Sequence, residues 1–254
     1  MKKISLILAF VLSAVLTINV SAQHKEKEID PSKPTNMYTE VTVNADYKSA
    51  EFENLYGLRA SVSYAINPDN LLLAEVPVLR NDLTGKTGLS DIRVRYFTAV
   101  KRDISPMFIA IAPFIDVSMP TGSFENGLGS SSWSLSAGSV IGLMFSDKFG
   151  LFPGIGVLHL TKPGTDLIPE NEKLSSTGIA FQFNASYSFS QSTYIFVNPT
   201  PSVMYCDGIW KAYWAGEVSF NQILIPNKFQ MNLYWGPNFT NKTNNFRLGA
   251  SFYL

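Results

Sequence analysis

From residue 37 onward the chain alternates between apolar and polar positions. Between 40 and 47, Glu40, Thr42, Asn44 and Asp46 stand opposite Val41, Val43, Ala45 and Tyr47. Between 91 and 101, Asp91, Arg93, Arg95 and Lys101 share one parity, while Ile92, Val94, Tyr96, Thr98 and Val100 take the other. Gln182, Asn184, Ser186 and Ser188 oppose Phe181, Phe183, Ala185, Tyr187 and Phe189; Lys211 and Glu217 oppose Ala212, Trp214, Val218 and Phe220; Gln230, Asn232 and Asn238 oppose Phe229, Met231, Leu233, Trp235 and Phe239. A period of two is the signature of strands, and no helix-period segment follows residue 22. The pattern predicts twelve strands, at 37–47, 55–66, 71–80, 91–101, 107–119, 133–145, 150–162, 177–189, 193–203, 210–221, 228–239 and 245–254. They are longer than the usual strand of about five or six residues. They suit a tilted strand crossing a bilayer, which needs about 9–11.

The links alternate in size as well. Those after even-numbered strands are short (67–70, 102–106, 146–149, 190–192), and three after odd-numbered strands are long (81–90, 120–132, 162–175). The link at 222–227 is of middling length, and the first and last odd links are short. Short turns on one side and long loops on the other are a feature of outer-membrane barrels.

Charge decides which face points where. A soluble antiparallel barrel keeps its apolar face inward. Here the polar face carries several charges of one parity within single strands, too many for a dry core. The apolar face carries rings near strand ends, among them Tyr47, Tyr64, Trp133, Phe145, Phe189, Trp235 and Phe246. Such rings match interfacial girdles. Lipid offers no hydrogen bonds, so strands can cross it only when the ladder closes on itself. The expected fold is therefore all-β: a closed antiparallel transmembrane β-barrel of about twelve strands, residues 37–254. The even count lets both termini lie on the periplasmic side.

The first 22 residues change the address. "MKKISLILAFVLSAVLTINVSAQ" has a basic start, an apolar run and Val20-Ser21-Ala22 before Gln23, which reads as a secretory signal peptide (1–22) cut after Ala22. The expected location is the outer membrane of a Gram-negative cell, reached by export. Residues 23–36 form a flexible polar N-terminal segment in this reading, with a plug in the lumen as the rival. Removing Lys2 and Lys3 leaves 18 basic against 20 acidic residues, a balance that argues against nucleic acid as a partner. Cys206 is the single cysteine, so no intramolecular disulfide can form. Two isolated histidines, His24 and His159, give no metal cluster, and no cofactor is expected.

Two sets of residues carry a resemblance. Arg247-x-Gly249-x-x-Phe252-x-Leu254 resembles the C-terminal assembly signal of bacterial outer-membrane barrels, although the usual last residue is aromatic. It implies recognition of Gly249, Phe252 and Leu254 by the barrel-assembly machinery. The stretches "TGLSDIRVRYFTAV" (87–100) and "FIDVSMPTGSF" (114–124) resemble the outer-membrane family of phenol meta-pathway degradation proteins, also called transporters. That family shows Gly-Leu-Gly-Asp leading into a strand, where Ser90 replaces the second glycine here. The resemblance implies an outer-membrane barrel and says little of the substrate.

The candidate chemistry lies on the inward face. Arg59, Glu75, Asp91, Arg93, Arg95, Lys101, Asp116, Tyr213, Glu217, Tyr234 and Arg247 are expected to line the lumen. With Glu40, Asp46 and Lys211 they balance six bases against six acids, which suggests internal pairing more than an ion-selective ring. Inward aromatics (Phe97, Phe114, Tyr194, Phe196, Tyr213, Tyr234, Tyr253) either fill the barrel or offer a greasy route. Pro199 and Pro201 fall inside a predicted strand, where each removes a ladder donor. They mark either local bulges or a lateral opening toward lipid. His159 is the sole histidine of the barrel, and no Gly-x-Ser-x-Gly elbow accompanies it. Twelve strands lie between the eight that side chains fill and the sixteen that leave a wide channel. The expected function is transport or binding of a small, hydrophobic or aromatic solute across the outer membrane, in a porin-like protein that is not an enzyme. The alternatives are an outer-membrane lipid-modifying enzyme and a non-conducting structural barrel.

Overall fold

The computed structural model describes residues 30–33 and 35–254. The predicted signal peptide and residues 23–29 lie outside them. The strands are β1 (Glu40–Ser49), β2 (Asn54–Asn67), β3 (Asn70–Asn81), β4 (Thr87–Leu89), β5 (Ile92–Thr98), β6 (Lys101–Arg102), β7 (Phe108–Met119) and β8 (Ser134–Met144). They continue as β9 (Phe149–Leu160), β10 (Ser176–Ser188), β11 (Thr193–Pro199), β12 (Ser202–Cys206), β13 (Ile209–Tyr213), β14 (Gly216–Ile225), β15 (Phe229–Asn238) and β16 (Thr243–Tyr253). These build twelve staves, because β4, β5 and β6 share one, β11 and β12 a second, and β13 and β14 a third. β1 pairs with β2 on one side and β16 on the other, and β10 pairs with both β9 and β11. The sheet has no free edge: it is a closed antiparallel barrel of the transmembrane class.

Its faces are inverted relative to a soluble domain. On β1, Thr42, Asn44 and Asp46 are buried, while Val43 and Tyr47 stand outside, 45% and 44% exposed. Leu58, Ile115, Val157, Leu233 and Leu248 are likewise exposed, whereas Asn221, Gln230 and Ser251 are buried. A charge on a lipid-facing wall at mid-depth costs about 2–4 kcal/mol, so the parity of charge fixes the parity of each strand.

One strand breaks this parity. Phe97 lies opposite Phe114, but Lys101 lies opposite Ile111 and Arg102 opposite Ala110. Four steps on one strand answer three on its neighbour, a one-residue bulge around Ala99–Val100. Lys101 is therefore not a lumen residue; it is exposed at the rim, and Arg102 turns inward instead. The predicted strand 193–203 is also interrupted, between Pro199 and Ser202, and the tenth between Tyr213 and Gly216. Beyond these breaks the staves run on to a tight turn at Asp207-Gly208, both with positive φ (48° and 78°). Two central residues of positive φ match the right-handed twist of a hairpin.

The described part of the polar lead is packed at the end of the barrel that carries the start of β1 and Leu254. Ser186 Oγ donates to Ser32 O at 2.6 Å, and Arg102 Nη1 donates to Thr35 O at 2.9 Å. Thr35 is buried, and Tyr38 meets Tyr253 edge-on at 5.3 Å.

Candidate solute path in the lumen

Among the described residues, three cavities lie along the barrel axis. The largest, about 680 Å³, opens at the long-loop end. One wall is a column of hydroxyls: Ser118, Ser134, Ser136 and Ser176, with Ser130 and Ser132 from the loop above. Between these serines stand leucines: Leu160 pairs with Ser134 and Ser176, Leu158 pairs with Ser136, and Leu174 joins them from the loop before β10. Its room comes from small inward residues on adjacent staves: Gly138 lies opposite Gly156, and Gly156 opposite Ala180. A Cβ at Gly138 would sit 2.2 Å from Ile155 O, so the strands themselves require the glycine.

Asp91 serves as an anchor for the loop over this vestibule. Its carboxylate accepts from Gly122 N (3.1 Å) and Ser130 N (2.8 Å). Thr121 completes the staple, accepting from Ile92 N at 2.9 Å and donating to Ser90 O at 2.8 Å. The Pro-Thr-Gly run at 120–122 thus ties a loop to the head of β5. Leu128 then enters a small apolar cluster with Leu55 and Leu79. Asn81, fully buried, holds the next loop by accepting from Leu83 N (2.9 Å) and donating to Asn126 O (3.0 Å). Asn81 was not foreseen, since an asparagine at a strand end looks the same in sequence whether it is solvated or locked.

Below the vestibule lies an ionic and aromatic collar. Arg93 Nε and Nη2 donate to Asp116 Oδ1 (2.9 Å) and Oδ2 (2.5 Å), and Arg93 Nη1 lies 3.4 Å from Glu75. Arg95 shares the same carboxylate through its Nε, at 2.7 Å, and through Nη2. Its guanidinium also lies over the Phe97 and Phe114 rings, at 5.3 and 5.5 Å. On the far wall Arg59 pairs with Asp46 at 2.8 Å. Arg247 Nε stands 3.8 Å from Asp46 Oδ1, near enough for charge but too far for a hydrogen bond, and stacks over Tyr234 at 4.4 Å. Glu217 accepts from Tyr234 Oη (3.0 Å) and Asn198 Nδ2 (3.2 Å). Tyr213 lies apart from this collar, beside Ser202 at the long-loop end.

Beneath the collar a second cavity of about 250 Å³ is lined by Glu40, Asn44, Tyr194, Gln230 and Tyr234, and by Pro31 of the polar lead. A third, about 120 Å³, lies between Asn184, Phe196, Asn198 and Tyr234. Tyr194 and Tyr253 both donate to Gln230 Oε1, at 2.6 and 2.8 Å. Of the terminal triplet, Gly249 faces inward against Asn44 and Asn232, and Phe252 and Leu254 are exposed.

His159 belongs to the outer wall, in step with Ile155 and Val157, and its Nδ1 lies 2.7 Å from Thr177 Oγ1. Outside the barrel wall, Lys173 is buried and lies 2.5 Å from Glu170. That hydrogen bond and charge hold the Glu170 carboxyl below its ordinary value.

Among solved structures the chain is similar to the NanC porin (TM-score 0.62, 12% identity, covering 84% of this chain and 100% of that one). It is also similar to the KdgM porin in complex with disordered oligogalacturonate (TM-score 0.56, 11% identity, 85% and 99%). At such identity the likeness is one of fold. No family model matches the chain. No curated protein matches it.

Proposed function

We propose that this chain is an outer-membrane channel that admits a small solute from the long-loop end and passes it toward the end bearing Leu254. In this reading export places the termini on the periplasmic side, lipid surrounds the apolar wall, and the assembly machinery recognises Gly249, Phe252 and Leu254. The observation that carries it is the vestibule: a cavity of about 680 Å³ whose wall interleaves serine hydroxyls with leucines, leading to a charged collar.

The collar narrows the choice of solute. One neighbour of this fold was solved with oligogalacturonate, a polyanion. Here four arginines (Arg59, Arg93, Arg95, Arg247) meet four carboxylates (Asp46, Glu75, Asp116, Glu217), which favours a neutral or singly charged solute over a polyanion. The vestibule leucines and the Phe97–Phe114 pair, 5.9 Å apart, suit a single aromatic ring. We read the protein as a non-enzyme: the outer-wall histidine meets a threonine hydroxyl, and a working nucleophile–base pair also needs a third group to orient the base.

The test is conductance of the full mature chain in planar bilayers, with and without phenol or oligogalacturonate. Small single-channel steps, blocked by phenol and indifferent to oligogalacturonate, are expected. Absence of conductance in chains with residues 23–36 removed would reject the channel in favour of a structural barrel.

A further inference from the structure

The wall between β10 and the ninth stave is incomplete halfway along β10. Pairing runs from Thr177↔Tyr205 to Ala180↔Ser202, stops, and resumes at Ala185↔Val197 in the same register. No bulge accounts for the gap. In that register Phe181 faces Pro201 and Phe183 faces Pro199, positions at which each strand should donate one bond and accept one. Phe181 N does donate to Pro201 O, at 2.9 Å. Phe183 N instead finds a side chain, Asn198 Oδ1, at 3.1 Å. Neither proline has an N–H to return, so the carbonyls of Phe181 and Phe183 lose their ladder donors. The other side of the stave stays joined, with Pro199 opposite Gly216 and Thr200 N donating to Ala215 O at 2.9 Å. The seam is therefore one-sided.

What lies on either side of it gives the seam a use. On the inner side, Gln182 and Thr200 line the large vestibule, and Asn184 and Asn198 line the smallest cavity. Asn184 Oδ1 is buried without a hydrogen-bond partner among the described residues. On the outer side the Phe181 and Phe183 rings stack nearly parallel (7°) with centroids 6.4 Å apart. A backbone carbonyl without its ladder donor is costly in hydrocarbon, so a passing donor is favoured at these two positions.

We infer that the seam is a lateral doorway between vestibule and bilayer, used by a small aromatic amphipath with one hydrogen-bonding head. The head donates to the freed carbonyls or to Asn184 while the ring slides past Phe181 and Phe183. This rests on the channel reading above and names the route by which its apolar cargo leaves.

The test uses the full chain with Cys206→Ser, Gln182→Cys and Thr200→Cys, a pair that meets across the seam and locks it when oxidised. In cells, entry of N-phenyl-1-naphthylamine into the membrane is followed by its fluorescence; in vesicles, entry of arabinose is followed by swelling. Oxidation is expected to reduce naphthylamine entry to that of cells lacking the protein, with dithiothreitol restoring it, while arabinose swelling falls by a much smaller factor. Naphthylamine entry that survives the lock overturns the doorway, and so does a lock that lowers both solutes equally. Loss of arabinose swelling in the reduced protein rejects the channel itself. A second variant, Pro199→Val with Pro201→Val, returns both donors without a cross-link; it is expected to give the same selective loss, and unchanged naphthylamine entry there overturns the proposal even if the cysteine pair fails to assemble.

Discussion

At Asp116 one carboxylate serves two guanidinium groups, with Glu75 assisting Arg93 from the next stave. Removing that charge by Asp116→Asn leaves Arg93 and Arg95 facing each other in a confined space. Breaking such a buried pair costs about 3 kcal/mol, at the low end of the usual range because Arg93 keeps a third of its side chain exposed. The expected outcome is a reversal potential shifted toward anion preference in a salt gradient, with a lowered temperature for unfolding in the gel-shift assay. A second residue tests the vestibule. Ala180→Phe directs a ring toward the hydroxyl column, where Ala180 now leaves room opposite Gly156. Conductance should fall while the heat-modifiable mobility of the folded barrel stays unchanged. The inward place of Arg93 and Arg95 was readable from parity alone, because a strand turns a fixed set of side chains to one face. Lys101 was misread for the same reason: one extra residue reverses the parity of everything beyond it, and neither Ala99 nor Val100 advertises a bulge.

At the level of elements, Arg102 ties the polar lead to the turn before β3 and to β6. It donates to Asp69 Oδ1 and Pro68 O, both at 2.6 Å, as well as to Thr35 O. Arg102→Ala removes all three bonds and should make the lead sensitive to trypsin in folded protein, as measured by N-terminal trimming on a gel. The loop 161–175 carries a pH response of its own. Glu170 titrates below the ordinary carboxylate range, so its bond to Lys173 contributes at all pH above that range and is lost as pH falls through the lowered value. Protection of this loop in hydrogen exchange should be constant near neutrality and decline in acid, and Glu170→Gln should flatten that decline. Strand positions were legible because lipid imposes both length and alternation. The division of the ninth and tenth staves was only half legible: prolines at 199 and 201 announce an interruption, but which neighbouring strand loses contact depends on register. The packed lead had no signal, since a polar unpatterned stretch reads alike whether it hangs free or fills a mouth.

Across the whole molecule, a sheet closed through β1–β16 and β10–β11 encloses cavities on either side of a charged collar, the lower one lined in part by Pro31. Deleting residues 23–36 should raise single-channel conductance, since it clears the lower mouth without touching the collar. The rest of the account stands on the inversion of the wall, apolar outward and ionic inward. Spin labels placed one at a time from Phe229 to Trp235 along β15 test it directly, by relaxation with oxygen, which dissolves in lipid, and with a water-soluble nickel chelate. Labels at Met231, Leu233 and Trp235 should be oxygen-accessible, and those at Gln230, Asn232 and Tyr234 should lose that access, in strict alternation. Equal accessibility at all positions, or oxygen preferring Asn232 over Leu233, would contradict it.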